Sequence, residues 1–72
     1  MSVEDYRDKI GIPDTHKLVI LNCTSWEKGG RDTGYCIVEQ RDSKGRAVAQ
    51  YGVIDERETF PPRERTIHYS RI

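Results

Sequence analysis

An α+β fold is what this sequence predicts: a short N-terminal helix packed on a mostly antiparallel four-stranded sheet, with a small open β-barrel as the alternative closure of the same strands. Three observations carry the expectation. Residues 33–54 read as one β-hairpin, TGYCIVEQR and RAVAQYGVI joined by DSKG, both arms rich in residues that suit a pleated surface. Val3, Tyr6 and Ile10 fall on one helical face. Residues 17–26 and 65–72 carry strand patterns on either side of the hairpin.

Taken in order, the helix covers residues 3–10. Ser2 offers a cap, Glu4 and Asp5 place acids in the first turn, and Gly11 supplies a stop. Two turns of helix do not stand alone in water, so this segment must lie on the sheet. Pro13-Asp14 then turns the chain. Leu18-Val19-Ile20-Leu21 in the first strand is apolar at every position, which predicts an interior strand buried on both faces. Residues 27–32, EKGGRD, read as a polar loop, and residues 55–64, DERETFPPRE, as a second one, whose Pro61-Pro62 pair favours an extended polyproline-like path. In the last strand Ile67 and Tyr69 share one face, and Thr66, His68 and Ser70 the other.

The central hairpin admits two registers. If Gly45 is left-handed, Asp42 pairs with Arg46, and Tyr35, Ile37, Ala49, Tyr51 and Val53 share a face. In the symmetric register Arg41 faces Arg46, and Cys36, Val38, Ala47, Ala49, Tyr51 and Val53 share a face. Opposed arginines are unfavourable, so the bulged register is preferred. Neither face is cleanly polar, which predicts cover on both sides.

At 72 residues the chain makes one domain, residues 1–72, near the lower limit for a single hydrophobic core. Apolar content is 35% and charged content 33%, so the core must be thin, and a homodimer is an expected remedy. Twelve basic residues balance twelve acidic ones, which weighs against a general nucleic-acid coater and against an acidic DNA mimic. No apolar run is long enough to cross a bilayer, and the charged start MSVEDYRDK lacks the apolar stretch of a signal peptide. The default expectation is a cytoplasmic protein without membrane contact.

No pattern of catalytic, cofactor-binding or metal-ligating residues stands out, and none of the three is expected. Cys23 and Cys36 read first as small buried apolar residues, with a disulfide between neighbouring strands and a metal site as the other readings. A nucleophile pair of either thiol with His16 or His68 would be the only catalytic version. Asp55, Glu56 and Glu58 read as a solvated charge run.

The candidate partner-binding residues are Trp26, Lys28, Arg31, Arg63, Arg65, Tyr69 and Arg71. Trp26 is the single tryptophan, of the type enriched at binding hot spots, and Lys28 and Arg31 flank the paired glycines beside it. Arg63, Arg65 and Arg71 share a direction with Tyr69 along an extended strand, which suits phosphate contact with stacking, an acidic protein surface, or a charge-protected edge. The leading expectation is a small non-catalytic protein-interaction domain, an accessory, adaptor or inhibitor that binds a larger protein or protein complex. Stand-alone domains of this size are frequent in phages, an association and not a physical inference. The alternative is a small nucleic-acid-binding β protein using the C-terminal basic strand.

Overall fold

The computed structural model describes residues 3–72. One helix, α1 (Val3–Ile10), precedes four strands: β1 (Lys17–Lys28), β2 (Arg31–Arg41), β3 (Ala47–Glu58) and β4 (Arg65–Arg71). Each strand pairs antiparallel with the next, giving one sheet in the order β1-β2-β3-β4. β1 and β4 are its two edges, so the sheet is open and the barrel alternative is set aside. The α+β architecture is the one expected.

α1 carries Glu4 and Asp5 in its first turn and Arg7 and Lys9 in its last, the arrangement its macrodipole favours. Ser2, the expected cap, lies outside the described residues. Gly11 ends the helix at φ +84°, and the Ile12 N–H reaches back 3.0 Å to the Arg7 carbonyl, as in a Schellman ending. Eight residues of helix span about 12 Å. The molecule is 43 Å long, so α1 covers only part of one sheet face.

Beneath α1 sits the core: Tyr6, Leu18, Cys36, Val38 and Val53 are buried, with Val3, Ile10, Ile12, Tyr51 and Ile67 packed around them. The buried polar Gln40 joins them by a relay. The Tyr51 hydroxyl donates to Gln40 Oε1 at 2.8 Å, and Gln40 Nε2 donates to His16 Nδ1 at 2.8 Å. Arg7 anchors the connection after the helix by donating to the carbonyls of His16 (2.8 Å) and Pro13 (3.2 Å).

Several expectations need correction. β1 is not an interior strand. Leu18 is buried under α1, but Ile20 and Leu21 are 38% and 46% exposed and every position from 20 to 28 is open to solvent. The apolar run misleads because a bulge at Leu21 shifts the pairing between Ile20 and Asn22, so consecutive apolar residues do not line two covered faces. Only one face has an element packed on it among the described residues.

The EKGGRD segment is not a loop either. β1 and β2 run on to Lys28 and Arg31, joined by Gly29-Gly30 at φ +61° and +76°. Two left-handed central residues make the two-residue turn that matches strand twist. Likewise β3 continues through Glu58, and the chain turns at a cis Pro61-Pro62 bond, with the Arg63 N–H donating to the Phe60 carbonyl at 3.0 Å. No polyproline path forms there. The two turns are fastened together, since the Thr59 N–H and hydroxyl both donate to the Gly30 carbonyl (2.9 and 2.7 Å).

The central hairpin turns as preferred: Gly45 is at φ +81°, and the Asp42 N–H meets the Arg46 carbonyl at 2.9 Å. The faces nevertheless follow the rejected arrangement. A second bulge opposes Gln40 to Ala49 but Arg41 to Ala47, leaving Val48 over. Cys36 and Val38 therefore share the helix-covered face with Ala49, Tyr51 and Val53, while Tyr35 and Ile37 face the other way.

Cys23 and Cys36 form a disulfide, so the buried free-thiol reading is replaced by the cross-strand one. They are directly opposed in the β1–β2 register, with Cα atoms 4.1 Å apart, the close spacing of a non-hydrogen-bonded antiparallel pair.

Candidate interaction surface

Strand alternation and the two bulges decide which side chains reach the uncovered face. From β1 come Val19, Asn22, Thr24 and Trp26; from β2, Thr33, Tyr35 and Ile37; from β3, Gly52, Ile54 and Glu56; from β4, Thr66, His68 and Ser70. Trp26 is 51% exposed and Ile54 37%, with Tyr35 and Ile37 half-buried between them. Tyr35 lies diagonally over Gly52: a Cβ there would meet its hydroxyl at 2.8 Å, so the missing side chain is what lets the ring lie flat. The result is a shallow apolar band rimmed by paired charges. Arg31 meets Glu56 at 3.6 Å on one side, and on the other the Arg41 Nε–H donates to Glu39 at 2.8 Å, holding that carboxyl below its usual range.

The expected partner-binding residues scatter over this framework. Trp26 belongs to the open face. Lys28 and Arg31 bracket the glycine turn at the far end of the sheet, and both are exposed. Arg63 follows the proline pair in its own turn. Tyr69 is 43% exposed on the helix side, its ring edge-on to Tyr51 with centroids 6.1 Å apart, and Arg71 lies opposite Tyr51 at the end of β4.

Arg65 has a structural task. It donates to both Asp55 oxygens (3.0 and 2.7 Å) and to Asp5 Oδ2 (2.8 Å), tying β4 to β3 and to α1. The solvated-run reading of Asp55 is thereby corrected: it lies inside β3, is 7% exposed, and also accepts from the Tyr6 hydroxyl at 3.3 Å. The Arg65 hydrogen bonds hold the Asp55 carboxyl below the usual aspartate range, outweighing the burial that would raise it. Its folded value is the lower one, so its stabilisation is present at neutral pH and is lost as the pH falls through and below about 4. Arg65→Met should cost about 2 kcal/mol at pH 7, toward the low end for a broken pair because the Arg65 side chain is 29% exposed. The gap to wild type should narrow at pH 3, where the stranded carboxyl is neutral, and urea titrations at the two pH values measure both.

A hollow of about 420 Å³ is lined by Ser25, Glu27, Asp32, Gly34, Asp55 and Arg57, whose strand positions alternate to the helix side, and also by Trp26 and Thr33 beside them. Its row of directly opposed residues across the strands, Glu27, Asp32, Arg57 and Arg65, runs from acidic at β1 to basic at β4. Neither cysteine nor histidine lines it, and Cys23 and Cys36 are bonded to each other. The described residues hold no cluster of metal-ligating side chains, and no helix among them is long and apolar enough to cross a membrane.

Sequence reasoning missed Tyr35, Ile37 and Ile54 as members of the open face. It also missed Phe60, 71% exposed beside the glycine turn. The available signal was the alternation in β2 and β3, obscured by the extra residue at Val48. No protein-family model, no curated protein and no solved structure matches the chain.

Proposed function

We propose that this is a small non-catalytic protein-interaction domain that engages a larger protein through the uncovered sheet face around Trp26. The observation that supports the reading is a half-exposed tryptophan set in an apolar band, Tyr35, Ile37 and Ile54, with no element packed on it among the described residues. An aromatic anchor inside a polar rim is the usual anatomy of a protein-binding patch. The rim cations Arg31 and Arg41 are already paired with Glu56 and Glu39, so the surface offers mixed charge and no field for a polyanion. The nucleic-acid alternative is weakened in the same way, because Arg65 is engaged by Asp55 and Asp5, leaving Arg63 in the turn before β4 and Arg71 at the far end of that strand. The disulfide favours an oxidising setting over the cytoplasmic one.

The test is capture from the native host on immobilised wild-type protein, with Trp26→Ala and Ile54→Glu as parallel baits. A partner held by wild type and lost from both variants supports the reading. Trp26→Ala should weaken its binding by about 2 kcal/mol while leaving the circular dichroism unchanged, because the side chain is half exposed. Retention of the same partner by both variants rejects the open face. Salt-sensitive binding of short oligonucleotides in an anisotropy titration would move the assignment to nucleic acid.

A further inference from the structure

We infer that β1 is a self-pairing edge, and that two copies of this chain join antiparallel through residues 22–28 into one continuous sheet. Four strands from each copy would make it eight-stranded. The inference stands on the edge strand itself and does not depend on the identity of a larger partner.

Which backbone groups are free follows from the turn. Lys28 and Arg31 close the two-residue glycine turn, so they form a hydrogen-bonded pair, as do Trp26 with Thr33 and Thr24 with Tyr35 two and four residues back. The alternate residues Cys23, Ser25 and Glu27 then point their N–H and C=O groups to the open edge, which agrees with the close spacing of Cys23 and Cys36. The strand carries no proline, and from Asn22 to Trp26 it carries no charge. An exposed, proline-free edge with an uncharged stretch is a template for strand pairing.

The occupant is a second copy because the segment is self-complementary. The bulge at Leu21 and the turn at Gly29 confine the regular stretch to residues 22–28, whose midpoint is Ser25. A two-fold axis there pairs Ser25 with its equivalent, Cys23 with Glu27, Thr24 with Trp26 and Asn22 with Lys28, forming about six backbone hydrogen bonds. No like charges oppose one another, whereas an axis at Glu27 would set two carboxylates face to face. The two tryptophans then flank the axis on the open face and extend the apolar band across the junction. Pairing of β1 with the β4 edge of another copy would propagate without closing. β4 opposes that with Arg65, His68 and Arg71 along a shorter strand. The need is physical, since only five hydrophobic residues are buried among the described residues of the single chain.

Size-exclusion chromatography with light scattering, under non-reducing conditions at about 100 μM, tests the inference. Wild type should run at twice the 8.4 kDa chain mass, and Ser25→Lys, which brings two ammonium groups together at the axis, at the chain mass itself. Its dissociation constant should rise by at least about tenfold. Ser25→Pro, which removes an outward N–H and no ladder bond, should do the same with an unchanged circular dichroism spectrum. A wild-type monomer at about 1 mM overturns the inference, as does a dimer that survives in the folded Ser25→Lys protein. Uptake of an unrelated extended peptide by a monomeric wild type would assign the edge to a partner's strand and overturn it equally.

Discussion

Tyr6→Ala should leave most of the protein unfolded at 25 °C. Tyr6 is the largest of the fully buried side chains at 1% exposure, and it is the residue by which α1 enters the core. Replacing a buried aromatic by alanine costs about 3–5 kcal/mol. A 72-residue domain has about 4–11 kcal/mol in total, and a core of five buried hydrophobic residues among those described places this one toward the lower end, where the loss consumes nearly all of it. The effect is amplified here because an eight-residue helix without its anchor has no reason to remain helical. Tyr6→Phe separates the ring from its hydroxyl. The bond from that hydroxyl to Asp55 is long at 3.3 Å, and its loss should cost about 1 kcal/mol.

The same residue sets an alkaline limit. Burial, and then the charge and hydrogen bond of Asp55, push the Tyr6 hydroxyl up to about 12. Because the folded value is the higher one, its stabilisation is intact below pH 10 and is lost as the pH rises from 10 toward 12. Wild type should therefore weaken over that window, and Tyr6→Phe should lack this part of the decline. Thermal melts of the three proteins at pH 7, 10 and 11.5 decide it; a folded Tyr6→Ala at 25 °C would mean that the sheet holds together without its helix.

What could be read from the chain divides along a physical line. Local chemistry was legible: the helix with its Gly11 ending, the Asp42–Gly45 turn and the alternation of Ile67 with Tyr69 are each written in adjacent residues. Features set by register were not. The strand order left the apolar run of β1 on an edge, with its pairing shifted by an extra residue at Leu21, and another extra residue at Val48 exchanged the faces of the central hairpin. Asp55 looked solvated because its partners, Tyr6 and Arg65, lie 49 and 10 residues away. The glycine pair is the instructive case. As a two-residue turn it sets Lys28 against Arg31, and five pairs further back the same register sets Cys23 against Cys36. Recognising that turn would have yielded the disulfide and the length of β1 together. The open face followed less readily, since composition alone does not say which side a short helix will leave bare.

Reduction of the disulfide should lower stability by about 3 kcal/mol, roughly a 150-fold shift toward the unfolded chain. The bond joins residues 13 apart in sequence, so by the chain-entropy argument it removes a closed loop's worth of freedom from the unfolded state. Cys23→Ala isolates the effect, because Cys23 is exposed and its loss leaves Cys36 in place as a small apolar core residue. The variant and reduced wild type should share one urea midpoint, and dithiothreitol should leave the variant unmoved. An unchanged midpoint would mean that the closed loop contributes nothing beyond the β-ladder. The loosening should also be local. β1 has a neighbouring strand on one side only and its outer half lies beyond the helix, so its amides should lose hydrogen-exchange protection before those of β2 and β3. That strand carries Trp26 and the free edge. An oxidised bond between β1 and β2 therefore holds in one geometry both the band proposed to meet a larger protein and the edge inferred to meet a second copy, and reduction should weaken the two associations in parallel.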